Sequence, residues 1–364
     1  MLLHVVGARP NFMKLAPVFL AGRGAPHLRQ HVVHTGQHYD RDMSDRFFEE
    51  LGIPRPDENL DVGSGSHAQQ TAAIMARIEP VLERVRPEWV VVYGDVNSTM
   101  AAALVAVKLG IRIAHVEAGL RSRDRTMPEE INRLVTDQLA DLLLTPSRDA
   151  DANLRAEGIP ATRIAFVGNV MVDTLLRLRD QARALAVPER LGLNGKPFAF
   201  VTLHRPSNVD QADTLREMLL ALETVARQMP VIFAVHPRTR SRIESFGLGG
   251  VAGSVTMLAP LGYLETISLA ERSTLVITDS GGLQEETTVL GVPCLTARPN
   301  TERPVTVTEG TNRLVASTRN AVVAAVEELL AARSRGAFVP RRPELWDGNA
   351  GTRIIQALVQ RSAR

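Results

Sequence analysis

Short apolar runs alternate with longer amphipathic stretches along almost the whole chain. Runs at 2–6 (LLHVV), 31–35 (HVVHT), 89–93 (WVVVY), 112–116 (RIAHV), 142–145 (LLLT) and 164–167 (IAFV) predict one series of strands. Runs at 198–203, 231–235, 255–258, 274–278, 292–296 and 313–316 predict a second. They lack the apolar/polar alternation of a half-exposed sheet, so helices are expected on both faces of each sheet. Between the runs, segments such as 99–108 and 210–229 place apolar residues at three- and four-residue spacing, the helical period. Repeated βα units of this kind predict an α/β fold with doubly wound parallel sheets. The segment 170–197 begins as a helix and ends in Pro, Gly and Asn, the most linker-like place in the chain. Two domains are therefore expected, 1–170 and 171–349, followed by a final amphipathic helix at 350–364.

Composition narrows the function more than the fold. The chain has 364 residues, more than one hydrophobic core usually serves. Lys and Arg total 42 against 40 Asp and Glu, and no basic block stands out, so nucleic acid and membrane surfaces are not expected partners. Aromatic residues make up only 4%, too few for base-stacking platforms. The single cysteine, Cys294, excludes an internal disulfide and a zinc ribbon. No run reaches the ~18 apolar residues of a membrane span, and the N-terminus has no basic segment leading into a long apolar one. A cytoplasmic protein is expected.

In open parallel sheets, ligands bind beyond the carboxyl ends of the strands. Those ends carry Gly7 to Asn11 with Lys14 further on, Gly36-Gln37-His38, Gly94-Asp95, Glu117 to Arg121, His204-Arg205, His236-Pro237-Arg238 and Asp279 to Gly282. Two domains facing each other with these ends would form a charged cleft. "LVITDSGGLQEET" (275–287) adds detail. Ser280 suits an N-cap, and Gly281-Gly282 bring bare N–H groups to a helix start, which attracts an anion. Glu286, more than a turn inside, is placed to accept hydrogen bonds from a sugar diol. A plain tight strand-to-helix turn also accounts for the stretch. In "TMPEEINR" (126–133), Glu129 and Arg133 read either as cleft residues or as a helix-start acid with a surface pair. Asp95 ends a fully apolar strand with no cation evident nearby in sequence; it serves the cleft or caps the next helix. Only three of the 42 basic residues are lysine, which marks Lys14 as a place for a compact ammonium. His115, inside a strand, is expected to be a satisfied core residue, and His67 has no assignment.

The motifs GARPNFMK, HTGQHYD, YGDVNST, HVEAGLRS, DRTMPEEINR, TLHRPSNVD, TDSGGLQEE and TERPVTVTEGT resemble, in this order, the non-hydrolysing UDP-N-acetylglucosamine 2-epimerases. The resemblance implies a glycosyltransferase-B-type fold of two Rossmann-like domains, with the C-terminal helix returning to the first. It implies that Ser280, Gly281 and Gly282 hold the UDP diphosphate and Glu286 the ribose. Arg303, Arg9 and Lys14 would be further UDP contacts, Arg133 and His236 would also line the substrate site, and Tyr263 would lie in the uracil region with Thr266. It implies Asp95, Glu117, Glu129 and His204 as the catalytic set. Some members are activated at a second site, for which Gln37, His38, Arg205 and His236 are the candidates. A UDP-sugar substrate, a homodimer and a role in surface polysaccharide synthesis are implied, and neither a metal nor another cofactor.

The expected activity interconverts UDP-N-acetylglucosamine and UDP-N-acetylmannosamine. "HRPSNVD" in place of "HRRE", and a shorter "DRTMPEEINR", resemble the branch that includes epimerases of UDP-2,3-diacetamido-2,3-dideoxyglucuronate, which is the alternative substrate. A glycosyltransferase of the same fold is the alternative of another class; it would need an acceptor.

Overall fold

The computed structural model describes residues 1–25, 27–36, 48 and 50–362, with Arg9 described in its backbone alone. The chain divides into two compact units, Met1–Thr174 with Glu344–Arg364, and Leu175–Pro343.

The first unit is built on a parallel sheet of β1 (Leu2–Val6), β2 (Gln30–His34), β3 (Glu58–Asn59), β4 (Trp89–Tyr93), β5 (Arg112–Val116), β6 (Leu142–Thr145) and β7 (Ile164–Phe166), in the order β3-β2-β1-β4-β5-β6-β7. The second unit repeats the plan with β8 (Ala199–Thr202), β9 (Val231–Ala234), β10 (Thr256–Leu258), β11 (Leu275–Thr278), β12 (Cys294–Ala297) and β13 (Asn312–Val315), ordered β10-β9-β8-β11-β12-β13. Both sheets are doubly wound and reverse direction at one point, between β1 and β4 and between β8 and β11. Loops leaving adjacent strands diverge at such a switch point, which opens the crevice where ligands bind.

Both faces of the second sheet are covered. Ala199, Val201, Phe233 and Ile277 pack into one apolar cluster, while Phe200, Ile232, Val276 and Cys294 pack into another. Successive side chains point to opposite faces, so burial on both sides yields continuous apolar runs rather than alternation. The expected strands are present, and β3 is an additional one. It has two residues, too few to leave a periodic signal.

The helix Ala350–Ser362 packs against the helix Arg9–Arg23, within the first unit. Its first N–H groups are satisfied by Asp173, whose carboxylate accepts from Ala350 at 3.1 Å and Gly351 at 2.8 Å. Among the described residues no helix is long and apolar enough to cross a membrane.

Candidate active site

In the first unit, two turns at the ends of β4 and β5 carry the carboxylates. Gly94 follows β4 with φ +62°, and its N–H bonds the Val116 carbonyl at 3.0 Å. A Cβ there would stand 2.5 Å from the Lys14 ammonium, so the bare backbone lets that side chain pass. Lys14 reaches Glu117 at 2.8 Å, and both side chains are buried. Glu117 itself adopts φ +71°, a left-handed conformation that costs on the order of 1 kcal/mol for a residue with a Cβ. Its strain is held in place by the Leu144 carbonyl, which accepts from the Glu117 and Ala118 N–H groups at 3.1 and 3.2 Å.

Asp95 does not cap the helix that follows it: Asn97–Lys108 is preceded by Val96 and has no side-chain cap. The carboxylate accepts instead from Arg133, Nε at 3.0 Å and Nη2 at 2.8 Å. Asn132 donates to the Asp95 carbonyl at 2.8 Å. The cation that sequence proximity did not reveal thus comes from the helix Pro128–Leu139, 38 positions later. Of the two readings of Glu129 and Arg133, this geometry rules out the surface pair. Arg133 is buried and pairs with Asp95 and, at 2.5 Å, with Glu130. Burial of Glu130 is outweighed by the Ser122 and Arg123 N–H groups and by Arg133, which hold its carboxyl below the usual range. Glu130 is therefore a support for the turn, whereas Glu129 is half-buried on the wall of a cavity of about 310 Å³. Asp95, Asn132, Gln70 and His67 share that wall. His67, unassigned from sequence, bonds Asn97, which also donates to Gln70 at 3.0 Å. Nothing in the local sequence of His67 or Gln70 signals this, because the helix they open, His67–Val85, comes from a distant part of the chain.

In the second unit, Asp279 after β11 is fully buried and organises the turn after β8. It accepts the backbone N–H of His204 at 3.0 Å and of Arg205 at 2.9 Å, and the Asn208 amide at 3.0 Å. The His204 ring nitrogen Nδ1 lies 2.9 Å from the same carboxylate. Burial would raise the Asp279 carboxyl, but His204, Asn208 and the Arg205 N–H bring it below its ordinary value. A carboxylate on Nδ1 fixes the tautomer and presents Nε2 for proton transfer. The His236 ring lies 5.6 Å from that of His204, and burial followed by the charge of His204 lowers its pKa. His236 caps the helix Pro237–Ser245 by accepting from the Arg238 N–H at 3.2 Å.

Ser280 caps the helix Gly281–Leu290, accepting from the Leu283 N–H. The two glycines after it differ. A Cβ at Gly281 would meet Arg303 Nη1 at 2.8 Å and Glu302 at 2.9 Å, so packing requires glycine there. A Cβ at Gly282 would meet nothing within 4 Å. Arg303 is held by Glu285 at 2.8 Å and Glu302 at 2.6 Å, and Glu302 also pairs with Arg298 at 2.8 Å. Arg205 stands 3.7 Å from Glu302, and burial and then the charge of Arg298 pull its pKa down. Glu286 is buried; that burial and the charge of Glu285 raise its pKa to about 7, against the Tyr263 hydroxyl, which acts in the opposite sense. Of the remaining expected site residues, Gln37, His38 and the side chain of Arg9 lie outside the described residues.

A family model described as UDP-N-acetylglucosamine 2-epimerase matches residues 21–359. A UDP-2,3-diacetamido-2,3-dideoxy-D-glucuronate 2-epimerase of Pseudomonas aeruginosa is 43% identical over 364 residues, 99% of each chain. The UDP-N-acetylglucosamine 2-epimerase of Methanocaldococcus jannaschii, solved in complex with UDP-N-acetylglucosamine and UDP, is 39% identical with a TM-score of 0.84 over 99% of each chain. The Neisseria meningitidis enzyme bound to UDP-N-acetylglucosamine is 29% identical, with a TM-score of 0.89 over 99% of each chain.

Proposed function

The chain belongs to the UDP-N-acetylglucosamine 2-epimerase family, isomerases of nucleotide sugars, and from that premise we propose a non-hydrolysing conversion of UDP-N-acetylglucosamine to UDP-N-acetylmannosamine. The C2 proton of a nucleotide sugar is not beside a carbonyl, so simple deprotonation is very unfavourable. Elimination avoids this barrier. A base takes the C2 proton, the C1–C2 double bond forms, and the C1–O bond breaks with its electrons leaving on UDP. The product is a 2-acetamidoglucal. Re-addition of the UDP oxygen to C1, with a proton delivered to the other face of C2, completes the inversion.

What supports this reading in the first unit is the pair of turns carrying Asp95 and Glu117, each beside a cation, with Glu129 on the neighbouring cavity wall. Asp95, Glu117, Glu129 and His204 are assigned to the proton transfers, with Arg133 and Lys14 holding the first two in place. In the second unit the helix start at Ser280, Gly281 and Gly282, with Arg303, receives the departing diphosphate. Glu286 takes the ribose hydroxyls, Tyr263 the uracil side and His236 the rim of the site. A homodimer that works in the cytoplasm and feeds surface polysaccharide synthesis completes the proposal.

The 43% identity to the Pseudomonas aeruginosa enzyme favours one alternative substrate, UDP-2,3-diacetamido-2,3-dideoxyglucuronate. Incubation with each nucleotide sugar, followed by separation of the products, tests both. Accumulation of UDP-N-acetylmannosamine is the expected result. Turnover of the diacetamido sugar alone would move the assignment to that substrate, and release of free N-acetylmannosamine would overturn the non-hydrolysing reaction.

A further inference from the structure

Beneath the Gly94-Asp95 turn stands a titratable group to which the proposed proton transfers give no part. His115 lies in β5, fully buried, paired across the sheet with Val92 of β4 and Leu143 of β6. Its Nε2 is 2.7 Å from the Gly94 carbonyl oxygen, and its Nδ1 is 2.6 Å from the Asp137 carboxylate. A carbonyl has no proton to give, so Nε2 carries the hydrogen of the first contact. Asp137 accepts the Gly119 N–H at 3.1 Å and pairs with Arg121 at 2.7 Å, surroundings in which a carboxylate stays ionised. Burial would raise the Asp137 carboxyl, but the charges of His115 and Arg121 hold it low. Both ring nitrogens are thus engaged, and the ring bridges the Asp137 carboxylate to the Gly94 carbonyl. Arg121 continues the chain by forking onto Glu157, with Nε and Nη2 both at 2.7 Å.

We propose that His115, anchored by Asp137, is a positioning residue that fixes the Asp95 and Glu117 turns relative to each other. Asp137 touches both turns: through His115 it holds the Gly94 carbonyl, and directly it holds the Gly119 N–H. Arg133, one helical turn earlier on the same helix, holds the Asp95 carboxylate. One helix thus grips the reacting region from the backbone and from the side chain, and the separation of the two carboxylates depends on it. Among the described residues, the other charged groups around these turns include Lys14 with Glu117, Arg133 with Asp95 and Glu130, and Glu129 on the cavity wall beside Asp95. The positioning role rests on the catalytic reading of Asp95 and Glu117, but the bridge itself does not.

The test compares two variants of the full chain, Asp137→Asn and His115→Gln. Asp137→Asn keeps an oxygen for the Gly119 N–H but turns an NH2 toward the ring, and His115→Gln keeps a donor for the Gly94 carbonyl but breaks the bridge to Asp137. Each is expected to lower kcat about ten- to hundredfold, while KM and UDP affinity move less than about twofold. Unchanged kcat in either variant, or an equal loss of kcat and UDP affinity, overturns the positioning role. Amide exchange at Gly119, faster in Asp137→Asn, reads the bridge without turnover. If the unaltered enzyme epimerises neither sugar nucleotide, the functional reading fails while the exchange result is unaffected.

Discussion

The two units share one fold plan and differ in how they place charge. In the first, the carboxylates near the strand ends meet cations at close range: Glu117 meets Lys14, Asp95 meets Arg133, and Asp137 meets Arg121. Such pairing holds ionised oxygens at fixed positions, which suits groups that must accept a proton in one geometry. In the second unit such pairs recur, Asp279 with His204 and Arg303 with Glu285 and Glu302, but like charges also stand together. Burial and the charge of Glu285 raise the Glu286 pKa to about 7, while burial and then the charge of Arg298 lower that of Arg205. Under the proposed function the first unit supplies the acid–base groups and the second binds the departing diphosphate, with His204 as the exception.

The largest expected effect tests the first half of that division. Asp95→Asn should lower kcat for epimerisation by about 10³-fold or more, with UDP affinity, measured by calorimetry, changed less than about threefold. Equal loss of both would merge the two roles. A second substitution distinguishes neighbouring acids. Glu130→Gln removes the negative charge opposite the buried Arg133 and one of the two oxygens that accept from Ser122 and Arg123, so thermal unfolding should show a loss of about 3 kcal/mol. Glu129→Gln should leave stability nearly unchanged and lower the rate.

That distinction between Glu129 and Glu130 marks where sequence reading stops. The strands were legible because burial on both faces makes them continuous apolar runs, and the helix start at 280–282 was legible because Ser280 suits an N-cap and the glycines a strand-to-helix turn. The partner of Asp95 was not legible, since Arg133 is adjacent only after β4, β5 and the following helix are assembled. The same holds for Asp279, whose place in the list of strand ends gave no sign that it orients His204 rather than meeting a ligand. His67 and Gln70 stayed invisible for want of any local pattern.

In the second unit, the pKa of Glu286 is raised from 4.5 to about 7, so the folded protein binds a proton there that the unfolded chain has released. The stability this contributes is present below pH 4.5 and is lost as pH rises through 7. Glu286→Gln should therefore stabilise the protein at about pH 8 by on the order of 1–3 kcal/mol in denaturant unfolding, while UDP binding weakens. A variant that is both less stable and weaker in binding would contradict the poised-acid account. The smallest effect belongs to Gly282→Ala. With nothing near the added Cβ, stability should hold or rise slightly, while UDP affinity falls about tenfold as the methyl group crowds the approach to the helix start. Undiminished affinity would place the diphosphate elsewhere.

The central claim is that a base in the first unit removes the C2 proton while UDP departs. Proton NMR of the enzyme with UDP-N-acetylglucosamine in D2O tests it most directly. The account predicts deuterium entering at C2 as the UDP-N-acetylmannosamine signals grow, with both events absent in Asp95→Asn. Epimerisation that retains the original proton at C2 would contradict it.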